Sequence, residues 1–413
     1  MKKRVILIEP SFYGVSFVRA ARELGCEVIC VVSDQKDPQK FGYEGEYDQL
    51  LIADIRDSDS VLKAIQNSKY KRFDAIIPAT DYATAVTAKV AEKLNMFGNS
   101  YFATKCARNK DLARIQYAKK GVPSAKFAVA KTIDEALEAS KKIGFPLILK
   151  PTNTASSIDV FYVSDEQQLR ERFLQISQLK QSYMHFKVRE EYILEEFMSG
   201  PEFSVELFLS NNEIAFVEVT EKHTTKPPYF VELMHVFPTT VDVAYKKEII
   251  NTAYCAVRAL GFHNGPTHAE VKLTDAGARV VEVNGRPGGD NITSDLIKDA
   301  YGIDIFKKTV ELYLNKTVTI KPTRHGAAAI SFLFANSKGS FESVQGLDNI
   351  KTTQGFRRLE MEVSPGDKVV PPTNSDDRIG YYILSGSNAN KLKETIEDLN
   401  LKVHVIVKSD SRV

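Results

Sequence analysis

Along the first hundred residues, short apolar runs alternate with stretches of helical spacing. Val5-Ile-Leu-Ile8 is the first run. A turn at Pro10-Ser-Phe-Tyr-Gly14 follows, residues 15–24 repeat apolar side chains at helical intervals, and Gly25 closes that helix. Runs at 28–32, 50–52 and 75–77 continue the alternation. Strands alternating with helices predict a parallel sheet covered on both faces, so the expected class is α/β, opening with a doubly wound parallel sheet. No Gly-x-Gly-x-x-Gly follows the first strand, which argues against a dinucleotide site. Ligands on such sheets gather at the carboxyl ends of strands, and Pro78-Ala-Thr-Asp-Tyr-Ala83 sits at one. Asp81 there is a candidate substrate contact or helix cap.

Asn109-Lys-Asp-Leu-Ala-Arg114 opens a helix running toward Gly121-Val-Pro123. Strands are expected near 127–129 and at 147–150, with a helix at 133–143 between them. The loop Thr152-Asn-Thr-Ala-Ser-Ser157 has small residues that let backbone N–H groups approach an anion, although it lacks the P-loop pattern. A strand through Val163 and a helix from Asp165 follow. The segment 180–191 is polar and mixed. From Tyr192 a strand, a Ser-Gly-Pro turn and a second strand are predicted, then strands at 213–220 and 230–237, with 221–229 as a surface loop. Helices are expected at 245–260, 293–301 and 305–314. From about residue 319 the pattern changes to short strands, including 327–334, and one late helix at 389–399, which reads as a small α+β domain.

The most informative pattern is a hairpin. Runs at 268–273 and 279–284 flank the turn signal Thr274-Asp-Ala-Gly277. Strand side chains repeat with period two, so Glu282 and Asn284 share one face while Val281 and Val283 are expected in the core. Glu270 on the partner strand can share the face of Glu282. Two carboxylates and an amide oxygen, with no metal-binding thiol or imidazole, suit Mg²⁺, which keeps several waters and completes its shell with phosphates. A half-exposed hairpin with solvated acids fits the spacing equally well. Gly285-Arg-Pro-Gly-Gly289 follows where the second strand ends, and Arg286 is suited to bidentate contact with phosphate or carboxylate.

Composition narrows the class. The chain has 413 residues, room for two to four domains, and 43% hydrophobic residues, enough for a real core. A formal net charge of +2 gives no field that would favour nucleic acid or an anionic membrane. Four cysteines are scattered; Cys26 and Cys30, which flank a predicted strand, read as buried core thiols in preference to a metal site, and low cysteine usage fits a reducing, cytoplasmic setting. The basic N-terminus mimics a signal peptide, but its apolar run stops at Glu9, and no window is long enough to span a membrane.

Glu270, Glu282-Val-Asn284 and Gly285-Arg286 resemble the metal-and-phosphate motif of the ATP-grasp superfamily of carboxylate–amine ligases. The resemblance runs from about residue 110 to 291. It implies four domains: an N-terminal α/β domain at 1–105, a small ATP-grasp subdomain at 106–190, a large subdomain with the metal site at 191–318, and a C-terminal α+β domain at 319–413. It also implies roles. Lys110 and Lys150 match the two nucleotide-binding lysines, and Ser156 and Ser157 the phosphate loop, though Ala155, Ile158 and Asp159 stand where the family often has glycine. Glu195, Glu196, Phe197 and Met198 match the hinge whose backbone reads adenine, and Glu202 the acid on the ribose hydroxyls. Glu270, Glu282 and Asn284 match the metal ligands, and Arg286 the arginine that meets an acyl phosphate, helped by Gly288 or Gly289. The implied cofactors are ATP and Mg²⁺, with Mn²⁺ as a substitute.

Within the superfamily, Glu218-Val-Thr-Glu-Lys222, Phe230-Val-Glu-Leu-Met-His235 and Gly265-Pro-Thr-His268 look most like the bacterial L-amino acid ligases, which join two amino acids into a dipeptide. His268 is then a candidate phosphate or substrate contact, or a structural histidine, and His235 is a similar candidate. Glu232 is a candidate for the amino group of the first substrate, or a solvated strand acid. Arginine is carried as a candidate N-terminal substrate, with Asp376 and Asp377 in the irregular loop 371–380 as candidate guanidinium partners or a solvated acidic turn. The implied partners are amino acids and ATP, with a homodimer as the candidate assembly. Competing readings are a ligase that activates bicarbonate or formate, and a non-catalytic nucleotide or amino-acid sensor.

Overall fold

The computed structural model describes residues 2–155 and 158–409. Its first layer is a four-stranded parallel sheet in the order Gln49–Ile52, Glu27–Val32, Arg4–Ile8, Ala75–Pro78. The central strands are buried on both sides because helices cover them, so their sequence is continuously apolar rather than alternating. Cys26 and Cys30 belong to this buried core, Cys106 is buried elsewhere, and Cys255 is exposed.

A second, antiparallel sheet of four strands runs in the order Phe127–Ala130, Tyr192–Glu196, Leu147–Pro151, Phe161–Val163. The helices Ile133–Ile143 and Glu166–Ser177 pack their apolar faces on it. Thr132 and Asp165 start those helices by accepting from the backbone N–H groups of Glu135 and Gln168.

The central body is an eight-stranded antiparallel sheet. Its order is Gly277–Asn284, Gly265–Thr274, Glu202–Ser210, Glu213–Thr224, Glu232–Phe237, Ala327–Phe334, Arg378–Gly386, Phe356–Met361. The helix Val243–Leu260 buries one face against the hairpin half. The last three strands come from the C-terminal α+β region, so that region continues the central sheet through the pairing of Glu232–Phe237 with Ala327–Phe334. A further three-stranded sheet (Lys368–Val369, Gly339–Gln345, His404–Lys408) and the helix Ala389–Asn400 complete it, with a short helix at Leu347–Thr352 beyond the one expected. Among the described residues, no helix is long and apolar enough to cross a membrane.

Three local expectations change. The strand predicted to stop near residue 220 continues to Thr224, pairing on both sides, so Glu221 and Lys222 lie in a sheet and not in a surface loop. The segment expected as one helix over 293–301 begins as a π-turn at Ile292–Leu296 and becomes α-helical over Ile297–Tyr301. Val281 is not in the core. Glu270 pairs with Glu282 but Val271 pairs with Val280, which leaves Val281 as the extra residue of a bulge facing the cleft, while Val280 and Val283 are fully buried.

Arg114 is almost fully buried in the helix Lys110–Lys120. Its Nε donates to Glu195 Oε1 at 2.7 Å, Nη1 to the Val280 carbonyl at 3.2 Å and Nη2 to the Val281 carbonyl at 2.9 Å. One guanidinium thereby ties the helix to the small sheet and to the bulge of the hairpin.

Candidate active site

The hairpin register decides which groups meet. Glu270 lies directly opposite Glu282, and His268 opposite Asn284. Opposed residues in an antiparallel pair point to the same face with Cβ atoms about 5 Å apart. The oxygens of Glu270, Glu282 and Asn284 therefore face one cleft of about 720 Å³, between the parallel sheet, the small sheet and the central sheet. Lys110 lies 3.3 Å from Glu282 Oε2 and donates to the Thr154 carbonyl at 2.7 Å. Lys222 Nζ is 3.1 Å from Glu270 Oε1, 2.6 Å from Glu202 Oε1 and 3.8 Å from Glu232 Oε1. Burial opposes ionisation of Glu270, but Lys222 and His268 outweigh it and hold the carboxyl well below the usual range.

Among the described residues, no group of three or more His, Cys, Asp or Glu side chains forms a metal cluster. The expected set holds two carboxylates and an amide. That all-oxygen set fits a hard divalent cation whose remaining shell is water and phosphate, and two ammonium groups now occupy the carboxylates.

At one end of the cleft the walls are apolar. Ile148, Val160, Phe197 and Met198 line it, and Phe197 and Phe230 lie 5.8 Å apart with the Lys272 ammonium over both rings. This end has the chemistry of a slot for a purine base. The Glu196 side chain accepts from the Lys126 amide and Arg279, so it braces the hinge. Lys272 donates to the Met198 carbonyl at 3.3 Å. Glu195 is buried between Arg114 and Lys150, whose Nζ is 2.7 Å away. Burial alone would raise its pKa, but those two cations bring it down to about 2. Ser156 and Ser157 lie outside the described residues.

At the middle of the cleft, Arg286 sits 5.6 Å from the Tyr13 ring and 3.6 Å from Asp81, and donates to the Pro287 carbonyl. Asp81 does not cap the next helix with its side chain. It pairs with Arg108 and faces Arg286, which hold it ionised despite burial. His268 Nδ1 is 2.6 Å from Glu206, and burial is outweighed by Glu206 and Glu270, so its pKa rises to about 9. Gly288 packs on that pair, and Gly289 lines the cleft.

The far end is acidic. Glu232, Asp290, Glu362 and Asp376 line it together with His235 and Arg378. His235 is buried with Nε2 3.0 Å from Asp290. Asp376 accepts from the Tyr183 hydroxyl at 2.6 Å, which brings the polar segment after Ser177 over the cleft. Asp377 instead accepts from Thr373 and Asn374 and shapes its own turn. Sequence reading missed Lys222, Arg378, Tyr183 and Arg114 as cleft or bracing residues. Only Lys222 had a signal, since it continues the period-two series Glu218, Thr220, Lys222.

Residues 143–295 match the ATP-grasp domain, 18–97 the ATP-grasp N-terminal domain, and 331–408 the L-amino acid ligase C-terminal domain 2. The chain carries an ATP-grasp domain preceded by an ATP-grasp N-terminal domain. This ATP-grasp chain is 30% identical over 248 residues to alanine–anticapsin ligase of Bacillus subtilis, covering 56% of this chain and 52% of that one. It thus spans about half the length of that relative. It is 26% identical over 387 residues to the uncharacterized protein y4rH of Sinorhizobium fredii, covering 93% and 78% of the two chains. The L-arginine-specific L-amino acid ligase of Bacillus subtilis is 20% identical over 348 residues, 83% of each chain. The crystal structure of the L-amino acid ligase from Bacillus licheniformis superposes with a TM-score of 0.82 at 23% identity over 99% of each chain, which shows the shared fold.

Folding lowers the pKa of Glu195 from 4.5 to about 2, so its ionised pairing stabilises the fold fully above pH 4.5 and is lost as pH falls toward 2. The shift corresponds to about 3 kcal/mol. A Glu195→Gln variant should show a shallower decline of unfolding free energy across that acid range in urea titrations. A decline as steep as in the unmutated protein would remove Glu195 as the source.

Proposed function

We propose that this ATP-grasp protein is an L-amino acid ligase that joins two amino acids into a dipeptide with ATP, releasing ADP and phosphate. The observation that carries the reading is the register of the hairpin, which puts Glu270, Glu282 and Asn284 on one cleft face beside Lys110 and Arg286. A carboxylate oxygen of the first amino acid attacks the γ-phosphorus, and the bond to the β-phosphate oxygen breaks. The amine of the second attacks the acyl carbon, phosphate leaves, and the nitrogen loses a proton.

Charge is the obstacle. Several phosphate negatives must sit beside an incoming carboxylate, and groups preorganised against that charge lower the barrier most. Lys110 and Lys150 would line the phosphate path, Arg286 would hold the transferred phosphoryl group, and Glu202 would take the ribose hydroxyls. His268, charged over the physiological range, adds a positive group below the loop that carries Arg286. Glu270, Glu282 and Asn284 would hold Mg²⁺, or Mn²⁺ in its place, which when bound neutralises phosphate charge.

The acidic far end supports an ammonium-bearing first substrate. Glu232 would accept its amino group, with His235 and Gly289 alongside. Arginine is the candidate N-terminal substrate, since Asp376 offers a carboxylate at the cleft mouth for a guanidinium. A homodimer working in the cytoplasm remains part of this proposal.

The deciding experiment is an ADP-release screen over pairs of standard amino acids, with mass detection of products and with bicarbonate and formate as competing substrates. Amino-acid-dependent ADP with a dipeptide product is expected. ADP formed only with bicarbonate or formate would replace the reading with a carboxylase-type ligase, and no substrate-dependent turnover would leave a sensor. Arg286→Ala and Glu282→Ala should each cut kcat by about 100-fold or more. Either variant turning over at the unmutated rate would remove that residue from the scheme. Asp376→Ala should raise the KM for arginine more than that for ATP, and equal changes would take Asp376 out of the pocket.

A further inference from the structure

The glycine-rich loop that carries Arg286 ends in Asp290 and Asn291, whose φ angles are +52° and +57°. Asp and Asn are the residues other than glycine that adopt left-handed backbone most readily, so the direction of the turn is set by what they bind. Arg378 holds the first of them. Its Nη1 and Nη2 donate to the two oxygens of Asp290 at 2.7 and 3.0 Å, and His235 Nε2 lies 3.0 Å from the same carboxylate. A guanidinium holding a carboxylate through two parallel bonds fixes direction as well as distance. Arg378 is itself immobilised, with its guanidinium 3.6 Å from the Phe332 ring.

The other supports of the loop lie beneath it. A Cβ at Gly288 would fall 2.7 Å from Glu206 Oε1 and from His268 Nδ1, so the backbone rests directly on that pair. The Thr293 hydroxyl donates to the Gly288 carbonyl. Arg378 alone of these comes from the C-terminal region, and it has a second contact. Its Nη2 is 3.3 Å from Glu232 Oε2, which also accepts from the Ser375 hydroxyl at 2.7 Å.

From this geometry we infer that Arg378 is a positioning residue: its grip on Asp290 fixes the loop that presents Arg286, and its shared contact with Glu232 links that loop to the amino-acid end of the cleft. The inference rests on the ligase reading above. An ammonium arriving at Glu232 competes with Arg378 for the same carboxylate oxygen and leaves the guanidinium to Asp290. Amino-acid occupancy and the pose of the phosphoryl-contacting loop then depend on each other, and the dependence is reciprocal.

The test compares Arg378→Met, Arg378→Lys and Asp290→Asn by kinetics and by hydrogen exchange on the full chain. Arg378→Met should lower kcat by about 10- to 100-fold, the scale of a roughly 1 Å misplacement, with the KM for ATP little changed. ADP released per dipeptide should rise above one. Arg378→Lys, which keeps charge but loses the fork, should fall between the two. The double variant with Asp290→Asn should be no worse than the worse single one, because the two residues act as a unit. Amides of residues 285–291 should lose protection in Arg378→Met while the hinge strand keeps it. Unchanged kcat with unchanged loop exchange would overturn the inference. So would a uniform loss of protection and of Tm with activity falling in proportion, which marks a general brace. An unmutated protein that makes no dipeptide would instead sink the ligase reading, and the exchange data would still judge the grip on Asp290.

Discussion

The cleft depends on a charge buried where three bodies meet. Arg114 is almost entirely withdrawn from water, a cost met only because Glu195 and the carbonyls of Val280 and Val281 receive its donors. Glu195 in turn takes Lys150, so a helix, the small sheet and the hairpin are referenced to one point. The two carbonyls belong to the bulge that precedes Glu282. The same contact that joins the small sheet to the central one therefore sets the strand on which an acid of the cleft is carried.

The cleft itself is a problem in crowded carboxylates. Glu202, Glu232 and Glu270 would repel one another across its floor without the ammonium of Lys222 among them. The two walls differ in balance. Around Arg286 two guanidiniums face one carboxylate, Asp81, whereas the far end gathers four acids around Arg378. That polarity suits a substrate whose carboxylate must approach phosphate while its ammonium is held away from it.

Much of this was legible in the sequence where local rules decide. The βαβ alternation, the hairpin and the sharing of one face by Glu282 and Asn284 follow from period and turn chemistry, whereas Glu270 comes opposite Glu282 only because of the bulge at Val281. What the sequence hid was of three kinds. The bulge at Val281 breaks alternation by one residue, and no residue type announces it, so strict alternation puts Val281 on the wrong face. Arg114, Arg378 and Tyr183 act across 81 to 193 positions of chain, on Glu195, Asp290 and Asp376, and nothing in the neighbouring residues marks such partners. Lys222 is hidden because Pro227-Pro228 and the polar residues before it signal a loop, which in the structure begins only after Thr224.

The continuity of the eight-stranded sheet has a consequence for any shortened form of this chain. Glu232–Phe237 is shielded by Ala327–Phe334, which is almost wholly buried. Cutting away the last hundred residues would strip that strand of its neighbour and leave a row of unpaired backbone N–H and C=O groups beside apolar side chains. Such an open edge is a template for pairing with other chains. The C-terminal region is thus a guard against self-association of the half that binds nucleotide.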